Sequence, residues 1–75
     1  MMHAFVLLNV EPGMEENVFQ ELKTVNGVEE AYISYGTYDL VIRVRAETAE
    51  DLKDVTHKVR STNLVRSTLT LMLIE

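Results

Sequence analysis

Three segments among the first 46 residues of the chain are rich in aliphatic and β-branched residues, a composition typical of β-strands. The first, residues 3–10 (HAFVLLNV), is apolar on both faces, so we expect it in the middle of its sheet. Residues 28–35 and 39–46 are the next two, and the glycine-containing segment 36–38 between them indicates a β-hairpin. Residues 39–46 alternate with a period of two, and one face carries Leu40, Ile42 and Val44.

Two further segments carry apolar residues at helical spacing. The first helix is expected to open at Pro12-Gly13 and to end at Asn26-Gly27, with its stripe at Met14, Val18, Leu22 and Val25. The second is expected to begin after Thr48, whose hydroxyl suits an N-cap. Its buried stripe is formed by Leu52, Val55 and Val59.

A last strand over residues 65–74 completes the order β-α-β-β-α-β. This order predicts an α+β, ferredoxin-like sandwich: a four-stranded antiparallel sheet with both helices on one face. The other face is then left bare, and it is expected to be apolar because two strands supply apolar side chains to both faces of the sheet. The first strand has Phe5 and Leu7 on one face and Val6 and Leu8 on the other, and the last strand has Leu69, Leu71 and Leu73 on one face and Met72 and Ile74 on the other. Soluble monomers rarely expose such a patch. We therefore predict a homodimer packed sheet to sheet, a dimeric α/β barrel-type assembly.

The length, hydrophobic content and charge of the chain limit the classes of protein to which it can belong. The 75 residues allow one domain, and 47% hydrophobic residues are more than a small monomer can hide, which again favours oligomers. The net charge of −5 opposes binding to nucleic acid. The chain contains no cysteine, no signal peptide pattern and no run approaching the ~20 apolar residues of a membrane span. These features predict a cytoplasmic protein that binds neither nucleic acid nor membrane.

The sequence offers little for catalysis. No phosphate-binding loop is present, and His3 and His57 have no evident partners for a metal site. We predict no enzyme, no catalytic residue, no metal and no cofactor. One alternative stays open, because small cofactor-independent enzymes of the dimeric-barrel type share this fold.

The turn before the third strand is the one candidate site. Asp39 follows the segment 36–38, whose amide groups could form a small anion-binding concavity. Amides for a carboxylate and an acid for an ammonium group are what an amino acid needs. Asp39 could equally bond within its own loop, as aspartate does in many turns. The hydroxyls of Ser67 and Thr68 bear on this only if the fold brings them near such a turn in a neighbouring subunit.

Three stretches together resemble the ligand-binding (RAM) domain of the Lrp/AsnC, or feast/famine, transcription regulators. They are AFVLLNVEPGMEENVFQELKTVNGVEEAY, YGTYDLVIRV and VRSTLTLMLIE, which cover nearly the whole chain. The most specific element is the turn G-x-Y-D-hydrophobic at residues 36–40, supported by the R-[ST]-x-T strand at residues 66–70. The resemblance implies dimers that assemble into tetramers or octamers and bind an amino-acid effector between dimers. It implies a ligand site formed by Gly36, Thr37, Tyr38, Asp39, Ser67 and Thr68.

The chain departs from these regulators in two respects. Residues 1–75 are expected to form a single RAM domain without the helix-turn-helix, so direct DNA binding is not expected. Asn63-Leu64 stand where the family often has Pro-Gly. The expected function is an amino-acid-sensing module that modulates transcription or metabolism. The alternatives are a subunit that co-assembles with full-length Lrp/AsnC regulators without a ligand of its own, and a dimeric-barrel enzyme.

Overall fold

The computed structural model describes residues 1–73, which form a four-stranded antiparallel sheet and two helices in the predicted order. The elements are β1 (Met2–Val10), α1 (Glu15–Leu22), β2 (Val28–Ile33), β3 (Leu40–Ala46), α2 (Ala49–Arg60) and β4 (Val65–Met72). The strands lie in the order β2-β3-β1-β4. This is the ferredoxin-like sandwich that the sequence predicts.

The central strand is β1, as its apolar residues on both faces predict. It pairs with β3 on one side and with β4 on the other, both antiparallel. Leu8, near its end, faces Leu40 of β3 and Thr68 of β4. The register with β4 shifts between Asn9 and Val10. The first residues of β3 and of β4 therefore both lie beside the C-terminal end of β1.

The core lies between the sheet and the two helices. Its buried side chains are Ala4, Val6, Leu8, Val10, Val18, Leu22, Leu40, Ile42, Val44, Leu52 and Val59. The alternation predicted for β3 is confirmed, because its even-numbered apolar residues are all buried. The buried members of both helical stripes were also expected. Each large side chain buried here contributes about 1.5–3 kcal/mol to folding.

The first helix is shorter than predicted. Pro12 and Gly13 form a turn outside it, closed by the Met14 N–H donating to the Glu11 carbonyl at 3.0 Å. At the other end Val25 lies in a turn, where its N–H donates to the carbonyl three residues back instead of four. The second helix begins as predicted, and the Thr48 hydroxyl accepts the Asp51 N–H at 3.1 Å.

The hairpin loop is longer than the predicted segment 36–38. It spans residues 34–39, and the Ser34 N–H donates to the Asp39 carbonyl at 2.8 Å to close it. The last strand ends at Met72, and Ile74 of the prediction lies outside the described residues. Before that strand, Leu64 adopts a φ of 74°, a left-handed conformation that residues with a side chain rarely adopt.

The face of the sheet opposite the helices is uncovered and has two halves. The half formed by β1 and β4 is apolar: Phe5 lies beside Leu71 and Leu7 beside Leu69 in the register. The half formed by β3 and β2 carries charged side chains. Arg43 and Arg45 form salt bridges with Glu29, at N–O distances of 3.7 and 2.8 Å. We call the first half the apolar half of the open face.

Candidate functional site

Two clefts open at the end of the sheet where β1 finishes. This end also contains the start of α1, the loop between β2 and β3, and the end of α2 with the start of β4, because β1 is antiparallel to both of its neighbours. One cleft lies beside the β2–β3 loop, and the other lies beside the first residues of β4. They flank β1 on opposite sides, so the fold gives each protomer two separate candidate sites.

The first of these, the loop cleft, has a volume of about 360 Å³. It is lined by Glu15, Ile33, Ser34, Tyr35, Gly36 and Asp39. Glu15 is the first residue of α1, and the rest come from the end of β2 and the loop that follows. The Tyr35 side chain is 99% exposed, so an aromatic ring projects freely beside two carboxylates.

Asp39 has a structural role in the free protomer. Its Oδ2 accepts the Val10 N–H at 2.9 Å, at the point where the β1–β4 register shifts. Its own N–H donates to the Leu8 carbonyl at 2.9 Å. The carboxylate thus bonds to the end of β1 and fixes the loop against the sheet, rather than bonding only within the loop.

Removing this carboxylate is expected to destabilise the fold as well as the cleft. Asp39→Ala should lower the free energy of unfolding by about 1.5–3 kcal/mol, because it leaves the partly buried Val10 N–H without its charged acceptor. Asp39→Asn keeps an oxygen at the same place and should recover most of that loss. Urea unfolding of both variants measures the difference, and equal stabilities for the two would contradict this role.

The second cleft, the arginine cleft, has a volume of about 230 Å³. Its lining residues are Arg60, Val65, Arg66, Ser67 and Thr68. Ser67 is on the open face, where its hydroxyl accepts the Asn9 side-chain amide at 3.3 Å. Thr68 is on the helix side, next to Leu8. The cleft therefore wraps around the outer edge of β4.

The six residues of the predicted ligand site do not form one site within a protomer. Gly36 and Asp39 line the loop cleft, whereas Ser67 and Thr68 line the arginine cleft. Thr37 and Tyr38 belong to the same loop but are not among the lining residues of either cleft. The hydroxyls lie on the other side of β1 from the β2–β3 loop of the same protomer.

Sequence reasoning missed several lining residues. Glu15 lies in the first turn of α1 and Arg60 in the last turn of α2, where an acid and a base suit the helix dipole without any ligand. Arg66 stands out in the sequence only as part of the R-[ST]-x-T motif. The signal that could have identified them is topological: Glu15 begins the helix that follows β1, Arg60 ends the helix that precedes β4, and Arg66 is the second residue of β4. All three therefore lie at the end of the sheet where β1 finishes.

Other places in the molecule offer less. A hollow of about 560 Å³ runs along the exposed side of α2, but that helix alone lines it, so no second element encloses a ligand. Within residues 1–73 no three His, Asp or Glu side chains are placed to hold a metal ion.

The Tyr32 hydroxyl donates to Glu30, and this hydrogen bond raises the pKa of Tyr32 on the exposed edge of the sheet. None of the helices in that same range has the length and hydrophobicity to cross a bilayer.

Nearly the whole chain matches the model of a known protein family. A family model described as the Lrp/AsnC ligand-binding domain matches residues 3–75, and the chain belongs to this family. Lrp/AsnC proteins are regulators that bind amino acids and oligomerise. Membership supports a regulatory, amino-acid-sensing role.

Two proteins that this chain matches in sequence are longer than the chain itself. Homocitrate synthase of Saccharolobus solfataricus is 34% identical over 59 residues, which are 79% of this chain and 13% of that enzyme. The HTH-type transcriptional regulator FL11 of Pyrococcus furiosus is 29% identical over 72 residues, 96% of this chain and 48% of the regulator. The chain thus spans about an eighth of the enzyme and about half of the regulator.

Solved structures include a protein of similar size. The hypothetical protein PHS023 of Pyrococcus horikoshii superposes with a TM-score of 0.91 at 36% identity, covering 100% of this chain and 92% of that one. A feast or famine regulatory protein of Mycobacterium tuberculosis, solved in complex with L-methionine, has a TM-score of 0.83 at 26% identity. The match covers 100% of this chain and 51% of the mycobacterial protein.

Proposed function

We propose that this chain is an amino-acid-sensing module that acts in the cytoplasm, forms oligomers and binds a small amino-acid effector between dimers, modulating transcription or metabolism without itself binding DNA. The observation that carries the proposal is the loop cleft: the family's G-x-Y-D turn is anchored to β1 by Asp39 and opens a space of about 360 Å³. The mycobacterial structure with L-methionine supports the ligand class.

The charges of the loop cleft suit the ammonium group of an amino acid. Asp39 and Glu15 both line it, and none of its lining residues is a lysine or an arginine. The Val10 N–H takes one lone pair of Asp39 Oδ2, which leaves the other carboxylate oxygen for a ligand. Gly36 lines the same cleft and adds a backbone N–H group as a neutral donor. Tyr35 and Ile33 offer apolar surface for the effector's side chain.

The open face supports the dimer on which such a site depends. Leu69 and Leu71 remain 43% and 46% exposed there, next to the half-buried Leu7 and Phe5. A contiguous apolar patch on a domain this small favours association, because burial returns about 25 cal/mol per Å². Effector binding between such dimers would shift the protein toward one assembly state.

A thermal-shift screen against the twenty L-amino acids at millimolar concentration tests the function. A ligand at a hundredfold excess over its dissociation constant stabilises the folded state by about 2.7 kcal/mol, a readily visible shift. We expect one chemical class of amino acid to raise the melting temperature. Asp39→Asn should reduce that shift, because it removes the charge but keeps the bond to Val10.

Glu16→Gln is the matched control. Glu16 lies in the same first turn of α1 as Glu15, but it is exposed and does not line the cleft. Its replacement should leave the shift unchanged. No response to any amino acid would contradict the sensor and favour the alternative, a subunit that co-assembles with longer Lrp/AsnC regulators.

A further inference from the structure

The turn between α1 and β2 places an asparagine directly before a glycine. The Val28 N–H donates to the Val25 carbonyl at 3.2 Å and closes a four-residue turn, whose central residues are Asn26 and Gly27. Gly27 has a φ of 102°, and a type II turn requires such a positive value at its third position. The turn precedes β2, whereas the β2–β3 loop follows it, so this place is separate from both clefts.

Both groups that react when an asparagine loses its amide are accessible in this turn. The Asn26 side chain is exposed, so its amide group can rotate toward the main chain. The Gly27 N–H belongs to the central peptide group of the turn, which takes no part in the hydrogen bond that closes it. Glycine has no Cβ, so residue 27 does not shield its own nitrogen from the side chain before it.

We propose that Asn26 and Gly27 form a site of spontaneous covalent modification in the folded protein. The Gly27 nitrogen attacks Cγ of Asn26, a C–N bond forms, and the side-chain nitrogen leaves as ammonia with the proton of the attacking amide. Water then opens the resulting cyclic imide at one of its carbonyl groups. One opening gives aspartate, and the other gives isoaspartate, in which the main chain runs through the former side chain.

The fold itself maintains the reactive pair, because it requires glycine at position 27. An added Cβ there would lie 2.7 Å from Cγ2 of Val55, which packs against the core. A larger residue that would slow the attack is therefore excluded by the contact with α2. The reactivity of the turn then depends on which residue occupies the exposed position 26.

The isoaspartate product would change the structure at the start of β2. It lengthens the main chain by a carbon atom directly before Gly27, whose carbonyl accepts the Arg45 N–H at 2.8 Å. The pairing of β2 with β3 begins beside this bond, at Val28 and Val44. Displacing the Gly27 carbonyl weakens the bond to Arg45 and loosens this end of the strand pair. Aspartate leaves the length of the main chain unchanged and adds only a charge.

Ageing the purified protein at mildly alkaline pH tests the site, because the attack requires loss of the amide proton. Trypsin cleaves after lysine and arginine, so peptide 24–43 contains Asn26 as its only asparagine and peptide 61–66 contains only Asn63. Asn63 is the matched internal control, since it is also an exposed asparagine in a turn but is followed by Leu64. Mass spectrometry should show most of the Asn26 peptide converted to two acidic products, separable by chromatography, before the Asn63 peptide changes.

Two results would overturn the site. The first is equal conversion of the two peptides in the folded protein. The second is conversion at Asn26 in urea with none in the folded protein, which would show that the native turn holds the reacting groups apart. Neither measurement uses an amino-acid effector, so the result does not depend on the sensing function.

Hydrogen exchange at the Arg45 amide tests the structural consequence. The isoaspartate form should exchange this proton faster than the unaltered protein, because its acceptor at Gly27 is displaced. Asn26→Asp is the matched control, since it carries the same added charge on a main chain of ordinary length. Its Arg45 amide should remain as protected as in the unaltered protein. Equal protection in the isoaspartate form and in Asn26→Asp would contradict the loosening of β2 from β3.

Discussion

Replacing Gly27 with alanine is expected to lower the free energy of unfolding by about 3 kcal/mol, from backbone strain and overpacking together. Gly27 has a φ of 102°, a conformation that residues with a side chain adopt at a cost of about 1–2 kcal/mol. An added Cβ would also lie 2.7 Å from Cγ2 of Val55 and 3.3 Å from the Arg45 carbonyl oxygen. Val55 packs against the core and the Arg45 N–H is bonded to the Gly27 carbonyl, so neither can move freely.

Gly13→Ala separates the two causes. Gly13 has a φ of 84°, but an added Cβ there meets nothing within 4 Å. Its replacement should cost only the backbone strain, about 1 kcal/mol. Urea unfolding of both variants at one protein concentration makes the comparison, since oligomers gain stability with concentration. Equal losses at the two positions would show that the contact with Val55 is relieved by movement of α2.

Leu71→Glu is expected to abolish the sheet-to-sheet dimer and leave the protomer folded. Leu71 lies on the apolar half of the open face beside Phe5 and is 46% exposed in the single chain, so the folded protomer tolerates a polar group there. In a dimer packed on this face the carboxylate would be buried without a partner, at a cost of several kcal/mol. Sedimentation should show an 8.6 kDa species where the unaltered protein shows a larger one.

Gln20→Glu controls for the added negative charge. Gln20 is exposed on α1, on the opposite side of the sandwich from the open face. This variant should keep the oligomeric state of the unaltered protein, and circular dichroism should show both variants folded. A Leu71→Glu protein that still dimerises would show that the open face is not the contact surface. An unaltered protein that sediments only as a monomer would contradict the dimer itself.

The sequence predicted most of the fold because the fold depends on local periodicity. Leu40, Ile42 and Val44 alternate strictly, and their burial follows from that pattern alone. The Thr48 cap is similarly local, since its partner lies three residues away. The errors occurred at element ends, where competing hydrogen bonds decide the outcome. The turn around Pro12 and Gly13 prevented the early helix start, and the Ser34–Asp39 bond set the length of the hairpin loop.

The candidate site was harder to predict because its parts come from distant segments. The bond from Val10 to Asp39 joins positions 29 residues apart, and nothing in the turn G-x-Y-D indicates which strand its acid will meet. The separation of Asp39 from Thr68 depends on strand order, since β1 lies between them. Residue types suggested ligand-binding groups in both places. Only the topology shows that one protomer cannot bring them together.

The bond between Val10 and Asp39 also gives the molecule an internal reporter. At this amide a side chain of the β2–β3 loop serves as the acceptor, where a strand would otherwise offer a carbonyl. Exchange of its proton with solvent therefore follows opening of the loop, whereas the amides in the middle of β1 follow opening of the sheet. Comparing the two exchange rates measures how far movement of the β2–β3 loop is independent of the core beneath it.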